Sequence, residues 1–203
     1  MGNSTTTQTL RLLQRENIDL KEENERWQEE VLALREYLRG LRALQQDAQA
    51  ITSAQDLELF VSKVLYTALK AMDAADGSLL VVDEETDELV FAVVKGALQS
   101  SLRGYRIPKT VGVAGWVATH AEPLIVDHPR LDDRFYTRVD ETFGFKTTSL
   151  ICAPLLLGRD KVIGVIEVLN KFSQQAFNEV DLDMLTILAH IAAEAIERME
   201  GGG

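Results

Sequence analysis

Residues 147–171, TTSLICAPLLLGRDKVIGVIEVLNK, decide the fold. Two apolar runs rich in β-branched residues, Ser149 to Leu157 and Val162 to Leu169, flank Gly158-Arg159-Asp160-Lys161. That spacing predicts two antiparallel strands joined by a four-residue turn. In the second run Val162, Gly164, Ile166 and Val168 share one face and Ile163, Val165 and Leu169 the other, with Glu167 as its only charge. A strand that is apolar on both faces has to be covered on both. The hairpin therefore predicts a layered α+β domain, with helices on one face of a sheet and other parts of the chain on the opposite face.

The 203 residues suffice for one domain of about 150 residues and an accessory segment. The net charge of -11 divides into -2 before residue 51 and -9 after it. So negative a surface opposes nucleic acid and anionic lipid, and neither is expected as a partner. A single cysteine, Cys152, allows no internal disulfide and no cysteine zinc site, which suits a reducing compartment and a cytoplasmic location. No apolar run reaches the roughly 20 residues of a membrane span, and no signal-peptide pattern opens the chain. Met1-Gly2-Asn3-Ser4-Thr5-Thr6 fits the loose myristoylation pattern without a basic cluster behind it, and residues 1–9 read as a disordered polar tail.

A heptad pattern fills residues 10–50. Leu13, Leu20, Trp27, Leu34 and Leu41 recur every seven residues at d, and Leu10, Asn17, Asn24, Val31 and Leu38 stand at a. This seam is narrower than the stripe of a helix lying on a globular core. Asn17 and Asn24 are a-position residues of the kind that specify a parallel two-stranded coil, because paired asparagines satisfy each other only in register. In that arrangement Glu16 meets Lys21, Glu23 meets Gln28 and Glu30 meets Arg35 of the partner chain. The expected assembly is a parallel homodimer, with an antiparallel or heteromeric coil as the alternative. Gly40 and Gln45-Gln46 weaken the seam, leaving a rod of roughly 35 residues or about 50 Å.

Further along, Ser53 followed by Asp56 resembles a capping box. Leu57, Phe60, Val61, Val64, Leu65, Ala68, Leu69 and Met72 then keep the i, i+3, i+4, i+7 rule of a helix packed on a core. Gly77 to Val82 and Glu88 to Val94 read as a hairpin with an exposed acidic turn, and 96–110 as loop. Val111 to Ala118 reads as a short helix over the sheet, Leu124 to Val126 as a strand, and 127–146 as irregular. About Asn178 to Glu200 is a closing helix that can lie beside the one near 54–72.

This order, with Gly115-Trp116-Val117, TSLICAPL and GVIEVLNK at its landmarks, resembles a GAF domain over residues 51–200, with 201–203 a glycine tail. The resemblance implies an α/β/α sandwich around an antiparallel sheet of five or six strands, here preceded by the parallel coiled-coil helix. It further implies terminal helices that often dimerise, and a small-molecule pocket under loops and short helices. Such domains serve mostly as sensory or regulatory modules. The cyclic-nucleotide subclass has Asn-Lys, then Phe, three residues and Asp-Glu. Asn170, Lys171, Phe177 and Asp181 match it, but Leu182 replaces the Glu. In that subclass the Lys and Asp form a salt bridge holding the closing helix to the sheet, so the match leaves both a structural reading and cyclic-nucleotide binding open.

Other ligands fare less well. Bilin attachment needs a cysteine in the pocket loops, whereas Cys152 lies within a strand, so no covalent bilin is expected. Haem would have to use His120 or His128, each a lone loop histidine. A thiol-based methionine-sulfoxide reductase needs more than one cysteine. Candidate ligand-binding residues are Asp127, Arg130, Arg134, Phe135, Tyr136, Thr148, Ser149 and Glu167. Arg130, Arg134 and Arg138 fall at i, i+4, i+8; on a helix they would align to receive a phosphate or carboxylate, or else form a solvated face balanced by Asp132, Asp133, Asp140 and Glu141. Glu167 either hydrogen-bonds a ligand from the sheet floor or serves packing.

Two readings compete: a dimeric regulatory module that binds a small effector, and a scaffold using a ligand-free domain as a dimerisation block. Catalysis is not expected. No kinase, cyclase or DNA-binding segment fits in residues 1–50 or after 199, so a signal is expected to pass to a partner protein. If the asparagines set the register, replacing Asn17 and Asn24 together by Leu yields a tighter assembly with altered strand number or register. Unchanged mass and symmetry in light scattering and cross-linking would contradict that assignment.

Overall fold

The computed structural model describes residues 2–158, 161–173 and 176–200. Two compact units are formed, Met1–Arg42 and Ala43–Gly203. Helix α1 spans Gly2–Ala48. Residues 2–9 thus belong to the helix rather than to a disordered tail, since nothing in that run breaks it. Within the first unit the seam residues Leu13, Leu20, Trp27, Val31, Leu34 and Leu38 are exposed. Asn17 and Asn24 are exposed as well, and Asn24 accepts a hydrogen bond from Gln28 Nε2 at 2.7 Å. Leu41 is half-buried. Residues 201–203 and the Arg159-Asp160 tip of the central turn lie outside the described residues.

The second unit holds α2 (Ala54–Ala71), β1 (Ala74–Asp83), β2 (Glu88–Lys95), β3 (Arg106–Pro108), α3 (Gly112–His120), β4 (Leu124–Val126), α4 (Thr137–Phe143), β5 (Leu150–Leu157), β6 (Lys161–Lys171) and α5 (Glu179–Glu200). The sheet order is β3-β2-β1-β6-β5-β4, antiparallel throughout. Helix α2 starts as the Ser53–Asp56 pair suggests: Ser53 Oγ accepts from the Asp56 amide at 3.2 Å. Asp56 also reaches back to Thr52, whose amide and hydroxyl donate to it. Its apolar stripe, Phe60, Val61, Val64, Leu65, Ala68 and Leu69, is buried, and α2 and α5 pack together on one face of the sheet.

The opposite face carries a second core of Leu80, Leu89, Phe91, Leu150, Cys152 and Val165, covered by Val113, Ala114 and Val117 of α3. Gly115 lets α3 lie close, because a Cβ there would sit 2.7 Å from the Lys109 carbonyl oxygen. Gly164 does the same between strands, where a Cβ would come within 2.3 Å of the Leu80 oxygen.

Two local expectations are corrected. A register shift pairs Leu155 with Gly164 but Leu156 with Val162. Beyond this bulge the alternation inverts. Val162 therefore packs with the α3-side core, while Ile163 lies on the α2 side beside Leu57 and Val61. The stretch 96–110 also contains β3, an edge strand of three residues that ends at Pro108, where a ladder donor is not needed.

Candidate functional site

A cavity of about 80 Å³ lies between the α3-side face of the sheet and its cover. Its floor is Asp76, Gly77 and Ser78 of β1, Leu150 of β5, and Glu167 and Leu169 of β6. Phe91, Val94 and Lys95 of β2 and Gly112, Val113 and Ala114 of α3 form walls. The segment leading into and through α4 supplies the roof: Phe135, Tyr136, Val139, Asp140 and Phe145. Gly112 stands at φ +79°, and a Cβ there would press to 3.2 Å of Tyr136 Cβ, so the start of α3 and the roof approach each other through a glycine.

The acids of this apolar space are Asp76, Asp140 and Glu167, with Ser78 and Thr147 beside them. Asp140, only 3% exposed, accepts from the Thr147 amide at 2.9 Å and hydroxyl at 2.8 Å, and pairs with Arg130 at 3.1 Å. It ties the roof to the beginning of β5. Asp76 accepts from the Ala97 amide at 2.8 Å and from Asn170 Nδ2 at 3.3 Å. Glu167 accepts from Ser78 Oγ at 2.5 Å. Burial, and after it the Asp140 charge, push the Glu167 carboxyl up to about 6, against the opposing effect of the Ser78 bond. Burial foremost, and then the Glu167 charge, hold the Cys152 thiol well above its ordinary value, so it stays a protonated small hydrophobe rather than a nucleophile.

Of the residues singled out in the sequence, Phe135, Tyr136 and Glu167 line the cavity, and Asp127, Arg130, Arg134, Thr148 and Ser149 do not. The three arginines share no helix. Arg130 sits in a 3-10 turn at Pro129–Leu131 and Arg138 in α4, with Arg134 in the loop between. Arg134 is held by Asp132 through two bonds of 2.8 and 2.7 Å and lies 5.1 Å from the Trp116 ring centroid. That pairing lowers the Asp132 pKa and raises that of Arg134. Trp116 also stacks on His120 at 4.3 Å. Thr148 donates its amide and hydroxyl to Asn170 Oδ1, both at 2.9 Å. Lys171 pairs with Asp181 at 2.6 Å, their side chains 12% and 9% exposed, and lies over the buried Phe177 ring at 5.5 Å. Lys171, Phe177 and Asp181 therefore join the end of β6 to the start of α5, while Asn170 holds the lead into β5.

Sequence reasoning missed Asp76 and Asp140 as members of this site. Asp140 reads as one acid among several that balance the arginines. Asp76 stands in a run of small residues, AADGS, at the start of β1. A charge flanked by small residues inside a strand is the signal that could have found it.

The family model for the GAF domain matches residues 54–197. This chain belongs to the GAF family. Its GAF domain is 30% identical over 142 residues to a probable 3',5'-cyclic phosphodiesterase of Caenorhabditis elegans, covering 66% of this chain and 19% of that protein. It is 36% identical over 76 residues to a dual 3',5'-cyclic-AMP and -GMP phosphodiesterase of Drosophila melanogaster, covering 37% and 5% respectively. The chain thus spans a fifth or less of these relatives, and what matches is the GAF region. Among solved structures, the GAF domain of a phosphoenolpyruvate-protein phosphotransferase from Coxiella burnetii superposes with a TM-score of 0.70 at 22% identity, over 82% of this chain and 97% of that one. A free methionine-R-sulfoxide reductase from Neisseria meningitidis, solved with its substrate, gives 0.62 at 22%, over 79% and 89%. At these identities the structures share the fold of this GAF domain. No described helix is long and apolar enough to cross a membrane.

The raised Glu167 carboxyl gives a pH signature. Folding binds its proton more tightly than the unfolded chain does, so this contribution to stability is fully present below the ordinary carboxylate pKa. It is lost as pH rises through about 6. A rise from 4.5 to about 6 corresponds to at most about 2 kcal/mol. Glu167→Gln removes the titration, so the difference in unfolding free energy between wild type and variant should move by about that amount in favour of the variant between roughly pH 4 and pH 7.5. Urea titrations giving the same difference at both pH values would contradict the assignment.

Proposed function

We propose that this chain is a dimeric regulatory module that takes a small effector into the cavity over Glu167 and passes the change through its helices to a partner protein. The supporting observation is the cavity itself: apolar walls, a roof of aromatic side chains, and a floor carboxylate with one hydrogen bond. The roof is joined to β5 through Asp140 and Thr147. β5 and β6 in turn contact α5, so displacement of the roof by a ligand has a packed route to the terminal helices. The exposed seam of α1 supports a parallel coiled-coil homodimer. Exposed Leu59 and Tyr66 on α2 and Val180 and Ile187 on α5 support a second contact between terminal helices. The reading takes the protein to be cytoplasmic, bound to neither nucleic acid nor membrane, and without catalysis of its own.

The relatives are named for acting on cyclic nucleotides, which favours a cyclic nucleotide as one candidate effector. Its accommodation requires the roof to lift, because about 80 Å³ is well below the roughly 300–1,000 Å³ of sites for drug-sized ligands. Native mass spectrometry before and after unfolding tests the proposal. A dimer carrying a non-covalent mass that unfolding releases is the expected result. A monomer would contradict both readings, and a dimer at bare sequence mass that gains nothing from a metabolite mixture would favour a ligand-free scaffold instead.

A further inference from the structure

We infer that the ligand this cavity selects is a small organic cation, of the amidinium or alkylammonium kind, held by Glu167 between apolar walls. The inference rests on the effector reading and chooses against its cyclic-nucleotide candidate, which is an anion.

Three carboxylates line the cavity, Asp76 and Glu167 on the floor and Asp140 in the roof; the cationic residue bordering it, Lys95, pairs with Gly77 on the strand face turned to α2. Of the three, Asp140 alone is paired with a cation among the described residues, Arg130 at 3.1 Å. Asp76 is served by neutral donors, the Ala97 amide and the Asn170 side chain. Glu167 accepts from Ser78 on Oε1, and its Oε2 accepts from no described residue. Among the described residues no buried side-chain oxygen or nitrogen lacks a partner, so Oε2 is reached through the cavity rather than walled off. An anion placed here would meet carboxylates from floor and roof in a medium that screens poorly. A cation with N–H donors meets a half-buried acceptor that lacks a counter-ion.

Size narrows the class. About 80 Å³ is well below the space of drug-sized ligand sites, which suits a compact group of few heavy atoms. Acetamidinium meets both limits, being planar, with paired N–H donors and a methyl group for the apolar wall. Acetamide and acetate have the same shape with no charge and with negative charge, so the three ions and molecules separate charge from fit. The groups facing Glu167 are its strand partners Ser78 of β1 and Cys152 of β5, with Asp76 of β1 and Asp140 of α4 along the same cavity. Cys152 remains a thiol, so the charge change that governs binding near neutral pH is that of Glu167.

The test is a methyl-detected NMR titration of the full chain with acetamidinium, acetamide and acetate at equal ionic strength, in wild type and Glu167→Gln. Methyl groups remote from the cavity report whether the variant keeps its fold. The expected result is saturable shifts of the Val113, Val139 and Leu150 methyls with acetamidinium, at least about tenfold tighter than with acetamide, and none with acetate. The affinity should fall about tenfold or more in the variant, and also on lowering the pH to about 5, where Glu167 takes up its proton. Acetate or acetamide binding as well as acetamidinium, an undiminished affinity in the variant, or no shift with any of the three would overturn the inference. An anionic compound released from the native dimer would overturn it while leaving the effector reading in place, so the two are separable.

Discussion

The structure depends on one polar side chain at the end of the central strand. Asn170 accepts both the amide and the hydroxyl of Thr148 and donates to Asp76 and to the Lys146 carbonyl at 3.2 Å. Asp76 in turn holds the Ala97 amide. Three segments distant in sequence, the start of β1, the loop after β2 and the lead into β5, are thereby fixed at one point. Its backbone, at φ +58°, occupies the left-handed region that asparagine tolerates better than most residues. The chain turns there, and the next residue, Lys171, points its ammonium at Asp181 of α5. That pair is largely withdrawn from water, where removing one partner costs about 3–5 kcal/mol. Sheet, roof and closing helix are consequently joined within two residues of sequence.

The cavity follows from this junction. The roof is attached at its far end, by Asp140 to Thr147, beside the Asn170 contacts. Its near end rests on Trp116 through Arg134, on the outer side of α3. Between the two attachments lie Phe135, Tyr136 and Val139, half-buried side chains that fill the roof without backbone pairing to the sheet. A segment fastened at both ends and packed only by side chains between them is the part of this fold that can change shape without unpairing a strand.

The hairpin of residues 147–171 was legible because both its strands are apolar and continuous, and the helices because their stripes keep period. What was not legible depended on partners far away in sequence. The inversion at Ile163 arises from a bulge against Leu155 and Leu156, which no alternation within β6 announces. The three-residue β3 exists through pairing with β2. The spacing of the three arginines suggested one helical face, but Pro129 opens a 3-10 turn and a loop separates it from α4. Asp140 resembled a surface acid, and only folding brings Thr147 to it. Asn170 and Lys171 were legible through the family resemblance, not through propensity. Glu167 was visible as the charge in an apolar strand, and its partner Ser78, on the neighbouring strand, was not.

That the Asn170 side chain fixes the start of β1, the loop after β2 and the lead into β5 at one point can be checked by amide hydrogen exchange on wild type and Asn170→Gly. Glycine keeps the left-handed backbone free of strain while removing the bonds. Protection should fall together at Ala97 and across residues 140–148, while the paired centre of β1 and β6 and the first turns of α5, held by Lys171 and Asp181, are unchanged. Loss confined to Thr148 and its immediate neighbours would contradict it.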